Sequence, residues 1–560
     1  MRIKSSGLII SGVVWTIALE LMDGEVIRGP FYFRLSKNNR IRVVPLEGWR
    51  GKIKDREGEI LADNVLSFDA AVIPQDTVSK QELFTFVSQV LKTDQNKIAQ
   101  NYALRKFAPF APVVIAQDIT RDQAIVLEEN RYRFPSLFIQ ESTKRVYPLK
   151  ENAAHVLGYV GKMNTAQWER YKEYGYSAET VVGTTGIEEY YDQYLKGSEG
   201  GKQIEVNSRG QQVRLLGLKE PASGKDLTLT LDARLQQAMQ ELLQGRRGAM
   251  VVLDVRNGEV LGLTSSPSFD PQTRSSNSDY SPFLNRAIRG SFPPGSVFKI
   301  PVALAGLNTH KITTQSTFVC PGYYELGGMR FDCTHTHGPQ NLIEAVAHSC
   351  NVYFYNLGRM LGPDALNHYA GWLGLGHKTG IDLPYEDAGY IPSRIGKFLK
   401  RKLKWYGGDT LNFAIGQGDV LATPLQLANM MAMIANDGMV LEPHLIKSIG
   451  LNEVAGFSIA KRAAFNQEDL TVIQRALRST VTDTSGTGHL LVEFPFYIAG
   501  KTGTAQSSPN KEHHAWFAGY AESDKRLISF CVFIEYGGSS HHAVEMTKEL
   551  LLKMREYHLI

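Results

Sequence analysis

The chain carries the sequence PPGSVFK at residues 293–299, and this stretch decides how the second half of the chain folds. Pro-Pro-Gly cannot continue a helix, so we expect a new helix to begin at Ser296. The apolar residues that follow are numerous enough to bury that helix. At a spacing of i and i+3, Ser296 and Lys299 share one helix face. Because burial lowers the pKa of a lysine, Lys299 is predicted to accept the proton of a nucleophilic Ser296.

A second motif, KTGT at residues 501–504, follows a short strand-like run. On a strand, Thr502 and Thr504 point to the same side and offer two hydroxyls to a substrate carboxylate. Gly503 removes a side chain where a ligand would lie along the strand. The backbone N–H groups of Thr504 and Ser296 are candidate donors to an oxyanion. The motif therefore predicts one wall of an acyl-transfer site.

Between these two motifs lies a third, SCN, at residues 349–351. Each motif alone is a weak signal, since S-x-x-K occurs by chance in many chains. Their order, the Pro-Pro-Gly lead-in and the strand context favour a shared site. The trio is the signature of penicillin-binding proteins and class A β-lactamases, which form an acyl-enzyme on the serine of S-x-x-K.

The turn-rich sequence PASGK at residues 221–225 predicts a domain boundary. Strand-like and helix-like stretches alternate before it, which predicts a mixed α/β pedestal over residues 24–223. Residues 224–560 open with a strand, a helix and a hairpin, and end in strands. This order predicts an α+β domain whose antiparallel sheet is sandwiched by helices. The elements predicted for its opening are strands at 227–231, 248–254 and 259–263 and a helix at 233–243.

The N-terminus carries a predicted membrane segment. Arg2 and Lys4 precede an apolar run at residues 8–22, and a large polar region follows. These flanks favour a single anchor over residues 1–23 in the inner (cytoplasmic) membrane, with the catalytic domain in the periplasm or outside. The run is shorter than the about 20 residues of an upright spanning helix, and it contains Glu20. A cleaved signal peptide and a buried helix are the alternatives.

The composition argues against several functional classes. The chain has 560 residues and a formal net charge of +4 without long basic runs, so nucleic acid is not a predicted partner. No glycine-rich phosphate cradle stands between a predicted strand and a helix, so we expect no cofactor in catalysis.

Further motifs are similar to those of one protein family over nearly the whole chain. The chain resembles a class B penicillin-binding protein, most of all the penicillin-binding protein 2 group of the cell-elongation machinery. The resemblance implies a penicillin-binding transpeptidase fold behind a pedestal of the dimerisation type. The motifs that carry it are NRIR at 39–42, RGKIKDREG at 50–58, RVYP at 145–148, GYVG at 158–161, GIE at 186–188, NRA at 285–287, IGQG at 415–418, TPLQ at 423–426 and HAWF at 514–517.

The resemblance also implies a role for each residue of the trio. Ser296 would be acylated, and Lys299 would accept its proton. Ser349 and Asn351 would move protons and hold the peptide. The residues implied to bind the terminal carboxylate are Lys501, Thr502 and Thr504.

The implied reaction is attack on a D-Ala–D-Ala bond of a peptidoglycan stem peptide, release of D-Ala, and transfer of the acyl group to an amine of a neighbouring stem. β-Lactams would acylate the same serine. The resemblance further implies that the pedestal docks on a membrane glycan polymerase of the shape, elongation, division and sporulation (SEDS) type. We see no room upstream for a glycosyltransferase domain, and therefore expect cross-linking for elongation and rod shape without polymerisation.

Three cysteines and one histidine stand close together in the sequence and predict a structural zinc site. Zinc would use every thiol of the group, and some members of the penicillin-binding protein 2 group carry a metal at the matching place. The competing hypothesis is a disulfide between Cys320 and Cys333 that leaves Cys350 free. His335 is the alternative nitrogen ligand, and Cys531, in an apolar strand, is predicted to be a core residue. The predicted zinc ligands are Cys320, Cys333, His337 and Cys350.

Other functions share the three motifs. A secreted β-lactamase would hydrolyse its acyl-enzyme quickly, but no deacylating glutamate can be placed and a pedestal has no purpose there. A penicillin-sensing receptor would carry several membrane helices and a cytoplasmic output domain, and neither is visible. A division-type transpeptidase and a D-Ala–D-Ala carboxypeptidase are the alternatives within the same fold, because no motif specifies the acceptor site.

Overall fold

A computed structural model describes the chain in segments that fall into two compact units. The predicted anchor at residues 1–23 and the first half of the NRIR motif lie outside these segments. None of the helices within them combines the length and the apolar composition that crossing a membrane requires. The described residues are 41–46, 48–105, 112–163, 165–171, 173, 180–206, 212–276, 280–454, 461–462, 465–507 and 510–560.

The first unit comprises Met1–Gly51, Asn64–Arg145 and Lys196–Gly224. One of its sheets is antiparallel, with the strands Ile41–Leu46, Gly200–Val206 and Gln212–Lys219 in that order. In the other, strands Val113–Ile119 and Leu137–Val146 pair with Ile60–Val72. Apolar side chains of this sheet pack on three helices, of which the first and the third begin at a Ser or Thr cap. The helices are Lys80–Leu91, Gln95–Arg105 and Arg121–Glu129.

The second unit comprises Lys52–Asp63, Val146–Leu195 and Lys225–Ile560, and its centre is a five-stranded antiparallel sheet. Every residue of its two N-terminal strands is buried, so both faces of the sheet are covered. We number the strands β1 (Gly248–Asp254), β2 (Val260–Ser266), β3 (Tyr497–Ala505), β4 (His514–Glu522) and β5 (Leu527–Ile534), in the spatial order β2-β1-β5-β4-β3.

Helices cover this sheet on two sides. We number them α1 (Ala233–Leu242), α2 (Lys299–Asn308), α3 (Leu342–Ala347), α4 (Asn351–Trp372), α5 (Arg394–Arg401), α6 (Gly407–Ala414), α7 (Pro424–Ala435), α8 (Gln467–Thr482) and α9 (Ser540–Glu556). On β1, Met250 and Val252 belong to the core shared with α1 and α9, whereas Ala249 and Val251 belong to the core shared with α2 and α7. This alternation is the two-residue period of a strand, and it confirms an antiparallel sheet sandwiched by helices.

Shorter elements complete the second unit. Its remaining strands are Ile53–Lys54, Val160–Lys162, Val181–Gly183, Leu227–Leu229, Phe318–Cys320, Tyr323–Leu326, Met329–Asp332, Gly338–Gln340, Met439–Val440, Ile446–Ile449, Asn452–Glu453 and Lys461–Arg462. Its remaining α-helices are Ala154–Leu157, Thr165–Tyr171, Gly186–Tyr190 and Asp192–Leu195.

A buried ion pair joins the segment before Ser296 to the end of β5. The Arg286 side chain, from the NRA motif, is 2% exposed, and its Nε donates to Glu535 Oε2 at 2.8 Å. Its terminal nitrogen also donates to the backbone oxygen of Tyr280 at 2.9 Å. Arg247, next to β1, pairs with the other oxygen of Glu535. The pair therefore ties three segments of the catalytic unit together.

We predict that Glu535→Gln lowers the free energy of unfolding by about 3–5 kcal/mol, because it leaves the Arg286 charge buried without its partner. Urea unfolding at neutral pH measures this change. The matched control is Lys553→Gln, which breaks an exposed pair with Glu556 and should lower the free energy of unfolding far less, because solvent screens that pair. Equal stability losses in the two variants would contradict the prediction.

Candidate active site

All three sequence motifs open onto one cleft of about 860 Å³ in the second unit. Ser296, two residues of the SCN motif and both threonines of the KTGT motif line it. A cleft of this volume is in the range that holds small peptides and drugs. The residues that line it are Ser296, Arg330, Phe331, Asp332, Thr334, His335, His337, Gln340, His348, Ser349, Asn351, Tyr355, Asn412, Ile415, Gln417, Ser485, Thr487, Thr502, Thr504, Gln506, His513 and Ser540.

Ser296 and Lys299 belong to consecutive turns, as the Pro-Pro-Gly lead-in predicts. The turn that holds Ser296 is a 3-10 helix, Gly295–Phe298, and α2 begins at Lys299. The difference from an α-helix matters little for the chemistry, since side chains at i and i+3 eclipse one another in a 3-10 helix. The local geometry therefore directs Ser296 and Lys299 to the same side.

The amine of Lys299 is fully buried and is held by the SCN motif. Its Nζ donates to the backbone oxygen of Ser349 at 2.7 Å and to Asn351 Oδ1 at 2.7 Å. It also lies 3.2 Å from Ser349 Oγ. Three of the predicted catalytic side chains thus meet around one nitrogen atom.

Burial changes the proton affinity of both lysines in the site. Removal from water lowers the pKa of Lys299 to about 8. Burial also lowers the pKa of Lys501 well below its usual value, and the positive charge of Lys299 lowers it further. A neutral amine, which a base requires, is therefore accessible to Lys299 near neutral pH.

The backbone of the SCN motif is shaped to reach Lys299. Ser349 lies between α3 and α4 with a φ of +56°, an uncommon conformation for a residue with a side chain. Cys350 then takes the N-cap position of α4, so Asn351 is the first residue of that helix. The strained conformation at Ser349 turns its carbonyl towards the lysine, and strain of this kind concentrates at functional sites.

The KTGT motif lies on β3, at the edge of the sheet, and Thr502 and Thr504 both line the cleft. A β-carbon on Gly503 would come within 2.6 Å of the backbone oxygen of Pro294. Because the PPG segment approaches so closely, Gly503 is required by packing within the protein and not by the space that a ligand needs. Lys501 is fully buried, and its Nζ lies 3.4 Å from Thr502 Oγ1.

Several cleft residues were not singled out from the sequence. Thr487 Oγ1 lies 2.7 Å from Thr502 Oγ1, which places a further hydroxyl beside the KTGT wall. Gln417 donates to the backbone oxygen of Thr504 at 3.3 Å. The sequence SGTG at residues 485–488, after α8, predicts a turn that contains Thr487. Only the fold shows which strand this turn faces.

The four predicted zinc ligands lie together. The candidate ligand atoms of Cys320, Cys333, His337 and Cys350 all lie within 4.8 Å of one another. The His337 Nδ1 atom is 3.5 Å from Cys320 Sγ and 3.6 Å from Cys333 Sγ. Tetrahedral zinc with usual Zn–S and Zn–N distances separates S and N by about 3.6 Å. All four cysteines of the chain are free, Cys531 is fully buried, and the set fits the metal with His337 as the nitrogen ligand.

This cluster shares its backbone with the catalytic wall. Cys350 stands between Ser349 and Asn351, and the Asn351 N–H donates to Cys333 Sγ at 3.1 Å. A hydrogen bond from Cys350 holds the pKa of the Cys333 thiol far below its usual value. A lowered pKa favours the thiolate, the form of cysteine that binds a metal.

Comparisons with known proteins agree with this geometry. Residues 248–552 match the penicillin binding protein transpeptidase domain, and residues 45–229 match the penicillin-binding protein dimerisation domain. A relative from Haemophilus influenzae, named peptidoglycan D,D-transpeptidase MrdA, is 32% identical over 97% of this chain and 89% of its own length.

Two solved structures are similar over most of the chain. One is the complex between a penicillin-binding protein (PBP2) and MreC from Helicobacter pylori, with a TM-score of 0.83 and 28% identity, covering 93% of this chain and all of that one. The other describes structural coordination of polymerization and crosslinking by a peptidoglycan synthase complex, with a TM-score of 0.71 and 31% identity, covering 99% and 98%. The fold, the cleft and these matches together show that the chain belongs to the penicillin-binding proteins that join a dimerisation domain to a transpeptidase domain.

Proposed function

We propose that this chain is a peptidoglycan D,D-transpeptidase that cross-links stem peptides through a serine acyl-enzyme during cell elongation. The observation that carries the proposal is the buried amine of Lys299, one turn after Ser296 and in contact with Ser349 and Asn351. This arrangement brings a nucleophile, a base and a proton relay to one cleft. The relative named peptidoglycan D,D-transpeptidase supports the reaction class.

In the first half-reaction, the donor stem places its terminal carboxylate against residues 501–504. Ser296 Oγ attacks the carbonyl carbon of the penultimate D-alanine while its proton passes to the neutral amine of Lys299. The N–H groups of Ser296 and Thr504 stabilise the oxyanion. The C–N bond then breaks, and the leaving D-alanine amine receives a proton through Ser349, which leaves an ester on Ser296.

In the second half-reaction, an amine of a neighbouring stem attacks this ester. The amine proton returns through Ser349 and Lys299 to Ser296 Oγ, and an amide joins the two stems. Water in place of the amine gives the D-Ala–D-Ala carboxypeptidase reaction on the same residues. β-Lactams mimic the donor, acylate Ser296 and retain their leaving group, so they block the second step.

We assign the enzyme to the inner (cytoplasmic) membrane, with residues 1–23 as a single-pass anchor, 24–223 as the pedestal and 224–560 as the catalytic domain in the periplasm or outside. The positive charges before the apolar run support this orientation. The proposed partner is a SEDS-type membrane glycan polymerase, and the similar chain in a peptidoglycan synthase complex supports a partner of this kind. The Helicobacter pylori complex with MreC supports a second partner in the same process.

We also propose that Cys320, Cys333, His337 and Cys350 bind a structural zinc ion. Bound there, zinc would supply a cross-link between chain segments and no catalytic chemistry. The ligand residues would hold the segment around Cys333 against the start of α4, and so fix Asn351 beside Lys299.

The serine assignment predicts a stable covalent adduct. Benzylpenicillin should add one drug mass to the wild-type chain and none to Ser296→Ala, as measured by intact-protein mass spectrometry. Ser291→Ala is the matched control, because that exposed serine bonds to Asp387 outside the cleft, and it should keep the adduct. An adduct on Ser296→Ala would refute the assignment, and rapid return to free enzyme would favour a β-lactamase.

The lysine assignment predicts a pH dependence. Lys299 is protonated below its pKa of about 8 and neutral above it, so the acylation rate constant should rise roughly tenfold between pH 7 and pH 9. Stopped-flow acylation by benzylpenicillin measures the profile. Lys299→Arg should abolish the rise, because arginine stays charged throughout. A profile that rises only above pH 10 would contradict the assignment.

The metal assignment predicts one zinc per chain in purified full-length protein, measured by mass spectrometry of the elements. Cys350→Ser and Cys320→Ser should lose most of it, since each removes a ligand. Cys531→Ser is the matched control, because this buried cysteine lies outside the cluster, and it should retain the metal. Protein without zinc and with a Cys320–Cys333 disulfide would establish the competing hypothesis.

A further inference from the structure

Helix α5 is held to the protein by ion pairs along one face, where Lys397 is buried and Arg394 and Arg401 remain more than half exposed. Three basic side chains recur at i, i+3 and i+7 of this helix, so they lie on one face. Each of them pairs with an aspartate of the same unit. The pairs are Arg394 Nε with Asp364 Oδ2 at 3.4 Å, Lys397 with Asp409, and an Arg401 terminal nitrogen with Asp419 Oδ1 at 2.6 Å.

The opposite face of α5 is apolar and open to solvent. Ile395, Phe398 and Leu399 recur at i, i+3 and i+4, and their exposed fractions are 73%, 53% and 63%. The exposure continues beyond the helix, since every residue of the sequence FLKRKLK at 398–404 is exposed. A surface helix ordinarily buries its apolar face, whereas α5 leaves these three apolar side chains exposed.

The same segment is strongly basic. Residues 394–404 contain six basic and no acidic side chains. The three that do not pair with aspartate within the described part of the chain are Lys400, Lys402 and Lys404, and all three are exposed. Tyr406, which follows, is 62% exposed. The surface therefore offers apolar anchors, free ammonium groups and an aromatic ring side by side.

These features fit an anionic lipid surface. Apolar anchors enter the boundary between headgroups and acyl chains, lysines extend their stems to place ammonium groups among the headgroups, and aromatic rings favour this depth. A second copy of the chain does not fit, because it would bring the same positive charges to the contact. We propose that residues 394–406 form a membrane-surface segment that docks the catalytic unit on an anionic bilayer.

Docking at this place would act on the cleft through short contacts. Lys397 binds Asp409, and Asp409 accepts a hydrogen bond from the Tyr406 N–H at 2.7 Å at the start of α6. Helix α6 carries Asn412, which lines the cleft. The Lys397–Asp409 ion pair and helix α6 therefore join the proposed segment to one wall of the catalytic cleft.

Hydrogen–deuterium exchange of the full-length chain in nanodiscs tests the proposal. Discs of phosphatidylcholine alone are compared with discs that also contain phosphatidylglycerol, so any N-terminal anchor is inserted in both. We expect amides of residues 396–404 to exchange roughly tenfold more slowly with the anionic lipid. High salt should reverse this protection.

Variants assign the effect to the exposed face. Phe398→Ser with Leu399→Ser should lose the lipid-dependent protection and keep the rate of benzylpenicillin acylation, since neither residue lines the cleft. Leu451→Ser is the matched control, because Leu451 is a fully exposed apolar residue elsewhere on the unit, and it should keep the protection.

Three outcomes would overturn the proposal. These are equal exchange in both lipids, protection that persists in the double variant, and protection that appears only when a protein partner is added. If the double variant loses acylation, its fold is disturbed, and the triple variant Lys400→Gln, Lys402→Gln, Lys404→Gln replaces it. That variant keeps the apolar face and should lose the preference for phosphatidylglycerol, and an unchanged preference would also overturn the proposal.

Discussion

A single buried amine organises the catalytic unit. Removing a lysine from water is expensive unless its charge is lost or its hydrogen bonds are replaced. At Lys299 burial lowers the pKa to about 8, so the charge is lost more readily, and the SCN segment supplies hydrogen-bond acceptors. The backbone carbonyl of Ser349 is one of these acceptors, and Ser349 has a φ of +56°. The SCN segment and the start of α4 therefore meet at one nitrogen atom.

The sequence predicts the parts of the site that depend on local rules. Pro-Pro-Gly and the i, i+3 spacing place Ser296 beside Lys299, and the apolar runs predict β1 and β5 because both are buried strands. Contacts between segments that are far apart in the sequence cannot be predicted from such local rules. Thr487 meets Thr502 only because α8 ends beside β3, and no spacing in the sequence encodes that approach. The three ion pairs that hold α5 likewise involve aspartates that lie before and after the helix, which no local spacing reveals.

The thiol cluster and the catalytic wall are joined through Asn351. The Asn351 N–H, which a helix start leaves without a backbone partner, donates to Cys333 Sγ. The side chain of the same residue accepts from Lys299. Asn351 thus connects the sulfur atoms to the amine across a single residue. Cys350, inside the SCN motif, has its Sγ within 4.8 Å of the other candidate ligand atoms, so this motif contributes to both the thiol cluster and the cleft.

The contact between the nucleophile turn and β3 is made of main-chain atoms. Gly295 has a φ of +56°, and a β-carbon there would lie 2.6 Å from the backbone oxygen of Thr504. Gly503 faces the backbone oxygen of Pro294 at the same distance. Point mutations exchange side chains and leave the peptide backbone in place, so a bacterium has no gradual way to remodel this contact. A molecule that fills the cleft therefore meets a fixed backbone on this side, whereas cleft-lining side chains such as Arg330 and Gln417 are replaceable one at a time.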